Sequence, residues 1–199
     1  MKKIFIIYSL LLSVMSYSQD VLSIVFEQPV AVYPVRSIES NSIDVLKPND
    51  LLYIEPTQAT MSKILFYSQS QKGWREGFAE HKFLQPISTA SKSDKIRFCI
   101  SYLKDFNRLA AHTPLESEYL ANNFNLLIDV FLELACEHKN PPVTRFFIEA
   151  LLHISYTYDE KHLYALEELY QCQRTTFLEL LNKTDTSTQN KIKELMQEW

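Results

Sequence analysis

The chain has 199 residues, 46% of them hydrophobic, with 24 acidic and 20 basic side chains and a formal charge of −4. A polyanion partner needs clustered Lys and Arg. The only small clusters, Lys92-Ser-Asp-Lys95 and Lys191-Ile-Lys193, are interrupted or flanked by acids, which disfavours nucleic acid. Two glycines leave no room for a Gly-rich phosphate loop, and the hydrophobic content can build a core without disulfides.

The first twenty residues read as a secretory signal. Lys2 and Lys3 form the charged start, Ile4 to Met15 the apolar stretch, and Ser16-Tyr17-Ser18 a small-x-small cleavage site. About 12 apolar residues fall short of the roughly 20 that a membrane helix needs. The expected parts are therefore a signal peptide over 1–18 and a periplasmic or secreted chain from Gln19 onward. Without Lys2 and Lys3 the basic count falls to 18 against 24 acids, a formal charge of −6.

From Val21 to about Ile87 the chain reads as β. "LSIVF", "VAVYPV", "DLLYIEP", "KILFYS" and "HKFLQPI" are short Val-, Ile-, Tyr- and Phe-rich runs. Polar clusters such as Glu39-Ser-Asn-Ser42 and Lys47-Pro-Asn-Asp50 separate them. Several short strands in succession suggest a small barrel. In "SKILFYSQ", Ile64 and Phe66 point one way and Leu65 and Tyr67 the other, so both faces are apolar. "LLYI", Leu51 to Ile54, repeats this pattern, and a partly covered outer face is expected, most simply under the second half of the chain.

The run from "VAVYPV" through Lys47-Pro-Asn-Asp50 and Gly73-Trp74 to Phe83-Leu84 resembles bacterial SH3-like domains. Lys47-Pro-Asn-Asp50 stands where that family has a Lys-x-Gly-Asp turn. Gly73-Trp74 and Phe83-Leu84 take its terminal Gly-Trp-Val and Tyr-Leu positions. The resemblance covers about a third of the chain. It implies a β-barrel over 19–88 that binds cell-wall peptides or proteins. Such barrels use several glycines, and here Asn41 and Asn49, which tolerate positive φ, are candidates for the tight turns.

Beyond the polar linker Pro86 to Asp94 the period becomes 3.6, giving an α-helical bundle over 89–199 and an α+β chain overall. The first helix, Lys92 to Ala111, stripes Ile96, Cys99, Leu103, Phe106 and Ala110. The second opens on Thr113, Pro114 and Glu116, a capping-box signal. Its polar stripe Asn122, Asn125, Asp129, Glu133 and Glu137 leaves a wide apolar face, which marks it as the central helix. Asn140-Pro-Pro142 starts the third, with Val143, Phe147, Leu151, Ile154 and Tyr158. Asp159 caps the fourth, with Leu163, Leu166, Tyr170, Phe177 and Leu181. Ile192, Leu195, Met196 and Trp199 line a last short helix. Short connections imply antiparallel neighbours and an up-down bundle.

Helix rise of about 1.5 Å per residue puts Cys136 and Cys172 at similar levels, so a bridge between them is sterically open in an exported protein. Free buried thiols acting as small apolar residues are the favoured reading. Arg145, Glu149 and His153 read as a solvated polar stripe. With no His-Glu-x-x-His or Cys-x-x-Cys and no Gly-x-Ser-x-Gly elbow, neither a metal, a cofactor nor an enzyme is indicated. Tyr33, Tyr53, Tyr67, Trp74, Phe78 and Phe83 crowd the β half. Trp74, then Tyr53, and also Phe78 are the candidates for a ligand groove of the kind SH3-like folds use, while at least four of the six are expected in the core. The expectation is a non-enzymatic binding protein of the cell envelope. The rival is a periplasmic inhibitor or immunity-type protein acting through its helices.

Overall fold

The structure, a computed structural model, describes residues 20–26, 28–68, 70–112, 118–154 and 159–197. The signal segment, the Thr113-Pro114-Glu116 cap, Tyr158 and Trp199 lie outside these residues. The chain is α+β, an antiparallel five-stranded sheet in its first part and six helices in its second. It divides into two compact units between Ala90 and Ser91.

The first unit contains β1 (Val21–Val25), β2 (Val30–Val32), β3 (Asp44–Leu46), β4 (Leu51–Ile54), β5 (Met61–Ser68), β6 (Gly73–Glu80) and β7 (Leu84–Pro86). The sheet order is β6-β5-β4-β1-β7, and β2 and β3 form a separate hairpin within the long β1–β4 connection. The expected run "HKFLQPI" resolves into a 3-10 turn, His81–Phe83, followed by the short β7. "VAVYPV" keeps only three strand residues, because Pro34 has no N–H to continue the ladder.

Alternation builds the core. Leu52 faces Phe66 and Ile54 faces Ile64 across β4 and β5. These four join Val25, Val30, Val32, Leu46, Ala79 and Leu84 in one buried cluster. The hairpin docks by the bridge between Tyr33 and Phe78, each of whose N–H groups donates to the other's carbonyl at 2.8 Å. Gly77 permits this approach. A Cβ there would lie 2.4 Å from Val32 Cγ1 and 3.2 Å from the Tyr33 carbonyl oxygen. On the sheet's other face the cross-strand partners Ile24 and Leu51 are also buried, and Leu65 and Tyr67 are half-buried.

Turn chemistry replaces glycine elsewhere. Asn49 has φ 73°, as the Lys47-Pro-Asn-Asp50 turn requires, and Lys72 has φ 51° just before Gly73. Asn41 is not in the left-handed region. The Lys47 N–H donates to Asp50 Oδ2 at 2.7 Å, and burial nonetheless pushes the Asp50 carboxyl above its usual range.

The second unit contains α1 (Lys92–His112), α2 (Glu118–Leu132, continued by a π-turn, Glu133–Glu137), α3 (Pro141–His153), α4 (Glu160–Cys172), α5 (Arg174–Leu181) and α6 (Thr186–Gln197). Among the described residues no helix is long and apolar enough to cross a membrane. The Asn140 side chain caps α3 by accepting from the Val143 N–H at 3.1 Å. Asp159 and His162 form a reciprocal capping box at the start of α4.

Two expectations are revised. The fourth helix breaks at Gln173 (φ −134°, ψ 34°), giving α4 and α5. There the Gln173 side chain donates at 2.7 Å to the Ala135 carbonyl, which sits inside the π-turn. The hub is α3, not α2. Helix α3 packs on α1, α2, α4 and α5, and it buries Val143, Thr144, Phe147, Ile148, Ala150, Leu151 and Leu152, almost its whole circumference. The most extensive helix contacts join next-but-one helices: α1 with α3, α2 with α4, and α3 with α5. Rings fill the centre, with Phe106 stacked on Phe124 at 4.5 Å and Phe131 5.0 Å from Phe147. The polar stripe of α2 is partly a seam between helices. Lys95 reaches Glu133 at 3.2 Å, and Asn125 donates to Asp159 at 2.7 Å.

Candidate functional site

Register decides which of the anticipated aromatics meet. Tyr53 pairs with Leu65 across β4 and β5, and Tyr67 pairs with Trp74 across β5 and β6, so all four project from the outer face. Trp74 stands edge-on to Tyr67, with centroids 6.0 Å apart, and tilted to Tyr53 at 6.1 Å. It is 39% exposed. Partial burial raises the Tyr53 phenol above its ordinary pKa. Beside the trio, Lys63 and Glu76 pair at 3.0 Å, and the Glu76 carboxylate raises the pKa of the Lys63 ammonium. The hollow here, lined by Asp20, Tyr53, Glu55, Lys63 and Glu76 among others, measures only about 70 Å³.

Phe78 does not join this group. It shares the outer face of β6 but stands four residues from Trp74, about 13 Å along a strand. Its ring lies under the Arg36 guanidinium at 5.5 Å. Through that stack it supports the wall of a larger cleft.

This cleft, about 540 Å³, is formed by three segments: Arg36 to Glu39 after β2, Gln58 to Met61 entering β5, and Glu80 to Lys82 at the 3-10 turn. Short-range bonds shape each segment. The Ser37 N–H donates to the Val35 carbonyl at 2.7 Å, and Ser40 Oγ donates to the Ser37 carbonyl at 2.9 Å. The Ala59 N–H donates to Thr57 Oγ1 at 3.1 Å. The His81 N–H donates to the Thr60 carbonyl at 2.9 Å, tying the second segment to the third. Ser62 Oγ, fully buried, holds His81 Nδ1 at 2.8 Å and orients the ring. Lys82 is held by Glu80 at 2.7 Å and over the Phe83 ring at 4.6 Å. Ile38 is 60% exposed at the mouth. The walls thus mix apolar Ile38, Ala59 and Met61 with charges of both signs.

None of the cleft residues was anticipated as a site. One local signal existed, an isoleucine inside the polar run Ser37 to Ser42 with no strand to bury it. The Ser62–His81 bond, spanning 19 residues, had none.

In the helical unit Cys136 and Cys172 are joined by a disulfide with Cα atoms 5.5 Å apart. Cys172 is exposed and Cys136 half-buried, where buried free thiols were the favoured expectation. Cys99 is the free thiol among the described residues; it is buried, and that burial pushes its pKa up to about 12, disfavouring the thiolate. Arg145 Nε donates to Glu149 at 3.2 Å on the stripe that also carries His153. Among the described residues no three His, Cys, Asp or Glu side chains gather as metal ligands. No protein-family model matches the chain, and no curated protein or solved structure is detectably similar to it.

Proposed function

We propose that the chain is an exported binding protein, with no catalytic role, whose first unit is an SH3-like barrel and whose second is a helical bundle. The barrel takes an extended peptide, from the cell wall or from an envelope protein, in the cleft between residues 36–39, 58–61 and 80–82. The cleft itself carries this reading. Three segments from separate connections converge on one hollow of ligand size. Its apolar strip and flanking charges of both signs suit a chain that presents side chains alternately with polar backbone. The antiparallel order β7-β1-β4-β5-β6, with a hairpin-bearing first connection and a 3-10 turn before the last strand, supports the SH3-like reading. The disulfide accords with export, since such bonds persist in oxidising compartments.

The test is co-sedimentation of the chain with purified wall material, beside pull-down from envelope extract. Ile38→Asp should abolish capture while leaving the melting temperature unchanged, because Ile38 is exposed. If Trp74→Ala abolishes capture instead and Ile38→Asp is silent, the ligand lies on the Tyr53–Tyr67–Trp74 face. Retention of capture by both variants, or one tight protein partner that needs only the helical unit, overturns the proposal.

A further inference from the structure

The helical unit carries its own cavity, about 350 Å³, lined by Arg145, Glu149, Leu152 and His153 of α3, by Leu180, and by Lys183, Thr184, Asp185 and Thr188 at the α5–α6 turn. It does not depend on the reading of the β unit. Four features define its chemistry.

Its floor is apolar. Leu152 and Leu180 are each only 5% exposed. Its rim carries both signs of charge, Arg145 and Lys183 against Glu149 and Asp185, with His153 between them in sequence and exposed on α3. The turn is prebuilt. The Lys183 and Thr184 N–H groups donate to Leu180 and Leu181 carbonyls at 3.0 and 3.1 Å, and Gln189 Nε2 donates to the Thr184 carbonyl at 2.9 Å. Asp185 is fixed as the cap of α6, with its carboxylate accepting from Thr188 N–H at 3.0 Å and Thr188 Oγ1 at 2.7 Å. Those bonds hold its pKa below the usual range.

The pairing of the charges points to the ligand. Lys183 is taken by Glu179 at 2.6 Å, while the bond described for Arg145 to Glu149 uses Nε alone. A guanidinium has five N–H donors in a fork that fits a carboxylate, so its terminal amino groups suit an incoming carboxylate. Asp185 makes its bonds to neutral donors and forms no described ion pair, so it suits an incoming cation. Leu152 and Leu180 line the same cavity as both groups.

We propose that this cavity binds a small zwitterion of dipeptide size, its carboxylate on Arg145, its ammonium on Asp185, and an aliphatic side chain on Leu152 and Leu180. A ligand bearing only one of the charges leaves the other rim group unmatched and binds less well.

The probe is the dipeptide Gly-Leu, titrated into the labelled chain and followed by amide NMR shifts. Saturable shifts are expected in residues 145–153 and 180–188, with half-saturation below about 1 mM, a weak affinity of the order reached by ligands with few atoms. Acetyl-Gly-Leu and Gly-Leu-amide, each missing one charge, should bind at least tenfold more weakly. Arg145→Gln should have the same effect, and Arg174→Gln, outside the cavity, should have none. Arg145 is exposed enough that this variant folds, which its unperturbed spectrum away from α3 will show. Non-saturating shifts to 20 mM, shifts centred elsewhere, or equal affinity for the three peptides overturns the proposal.

Discussion

Replacing Gly77 by alanine tests the packing of the β2–β3 hairpin on the sheet more directly than any core truncation. The added Cβ would stand 2.4 Å from Val32 Cγ1, well over an ångström inside the roughly 3.5–4.0 Å at which carbon atoms attract. Val32 is completely buried, so its side chain has no solvent to turn into. Rotating the Val32 side chain would still leave the new methyl 3.2 Å from the Tyr33 carbonyl oxygen. That backbone is held by the two 2.8 Å bonds with Phe78. Overpacking a filled site costs about 1–3 kcal/mol, and the backbone contact puts Gly77→Ala at the upper end, about 2–3 kcal/mol. The assay is urea unfolding followed by Trp74 fluorescence in a Trp199→Phe background. Val32→Ala alone also destabilises, by opening a cavity, but in the double variant the two losses should partly cancel, a coupling of about 1 kcal/mol or more. A Gly77→Ala loss below about 0.5 kcal/mol, or strict additivity, refutes the docking of β2 against β6.

The disulfide closes a separation of 36 residues, for which the chain-entropy relation gives about 3–4 kcal/mol. Cys136→Ser with Cys172→Ser, or reductant on the parent chain, should therefore lower the melting temperature of the helical unit and leave Trp74 fluorescence unchanged. An unaltered melting curve under reduction would count against the bridge. Burial depresses the His162 pKa, with Asp159 only partly offsetting it, so folding favours the neutral ring. That contribution is present above the ordinary value of 6.5 and is lost as pH falls from there through the depressed folded value. Urea midpoints of the helical unit should accordingly drop between pH 7.5 and 5.5, and His162→Gln should flatten the drop. A slope identical in both proteins rejects this assignment. At Asn49, with φ 73°, alanine should cost about 1 kcal/mol and glycine almost nothing, as read from the same Trp74 unfolding curve. Equal stabilities for the two variants would mean that the turn relaxes.

Features set by neighbouring residues were legible in the sequence. Asn140 before two prolines announced the start of α3, and Asp159 that of α4. The absence of glycine from Lys47-Pro-Asn-Asp50 pointed to Asn49 for positive φ. Features set at long range were not legible. Nothing within residues 160–181 breaks that helix, since Gln173 is an ordinary helix former. The break goes with a bond to a carbonyl 38 residues earlier and lies next to a disulfide. The π-turn at Glu133–Glu137 is the other side of the same adjustment, closed by Lys139 at φ 47°, a left-handed conformation that helix ends usually give to glycine. The hub role of α3 was hidden for another reason. Its polar Arg145, Glu149 and His153 occupy one narrow line, and small Ala150 and Thr144 on the flanks did not register as core although both are buried.

The site divides along the same line. Aromatic density drew attention to Tyr53 and Trp74 as candidates, and a hairpin register that sets Ser68 opposite Gly73 was needed to bring them together with Tyr67. A shift of one residue in that pairing would turn Trp74 inward and Arg75 outward. The cleft, by contrast, draws its polar lining from Ser37, Glu39, Gln58 and Thr60, residue types that any polar connection contains, and its apolar lining from single residues scattered among them. Its shape comes from the strands that bring three connections to one edge of the sheet. The residues that fix it most firmly, Ser62 and Gly77, lie in strands beside it, one holding His81 and the other admitting the hairpin that carries Arg36 to Glu39. Ser62→Ala should therefore weaken peptide capture without touching the ligand. It leaves the cleft lining intact and frees only the His81 ring. Tenfold weaker capture with an unchanged melting temperature is the expected outcome of the co-sedimentation assay, and full capture would show that the ring's orientation is irrelevant to binding.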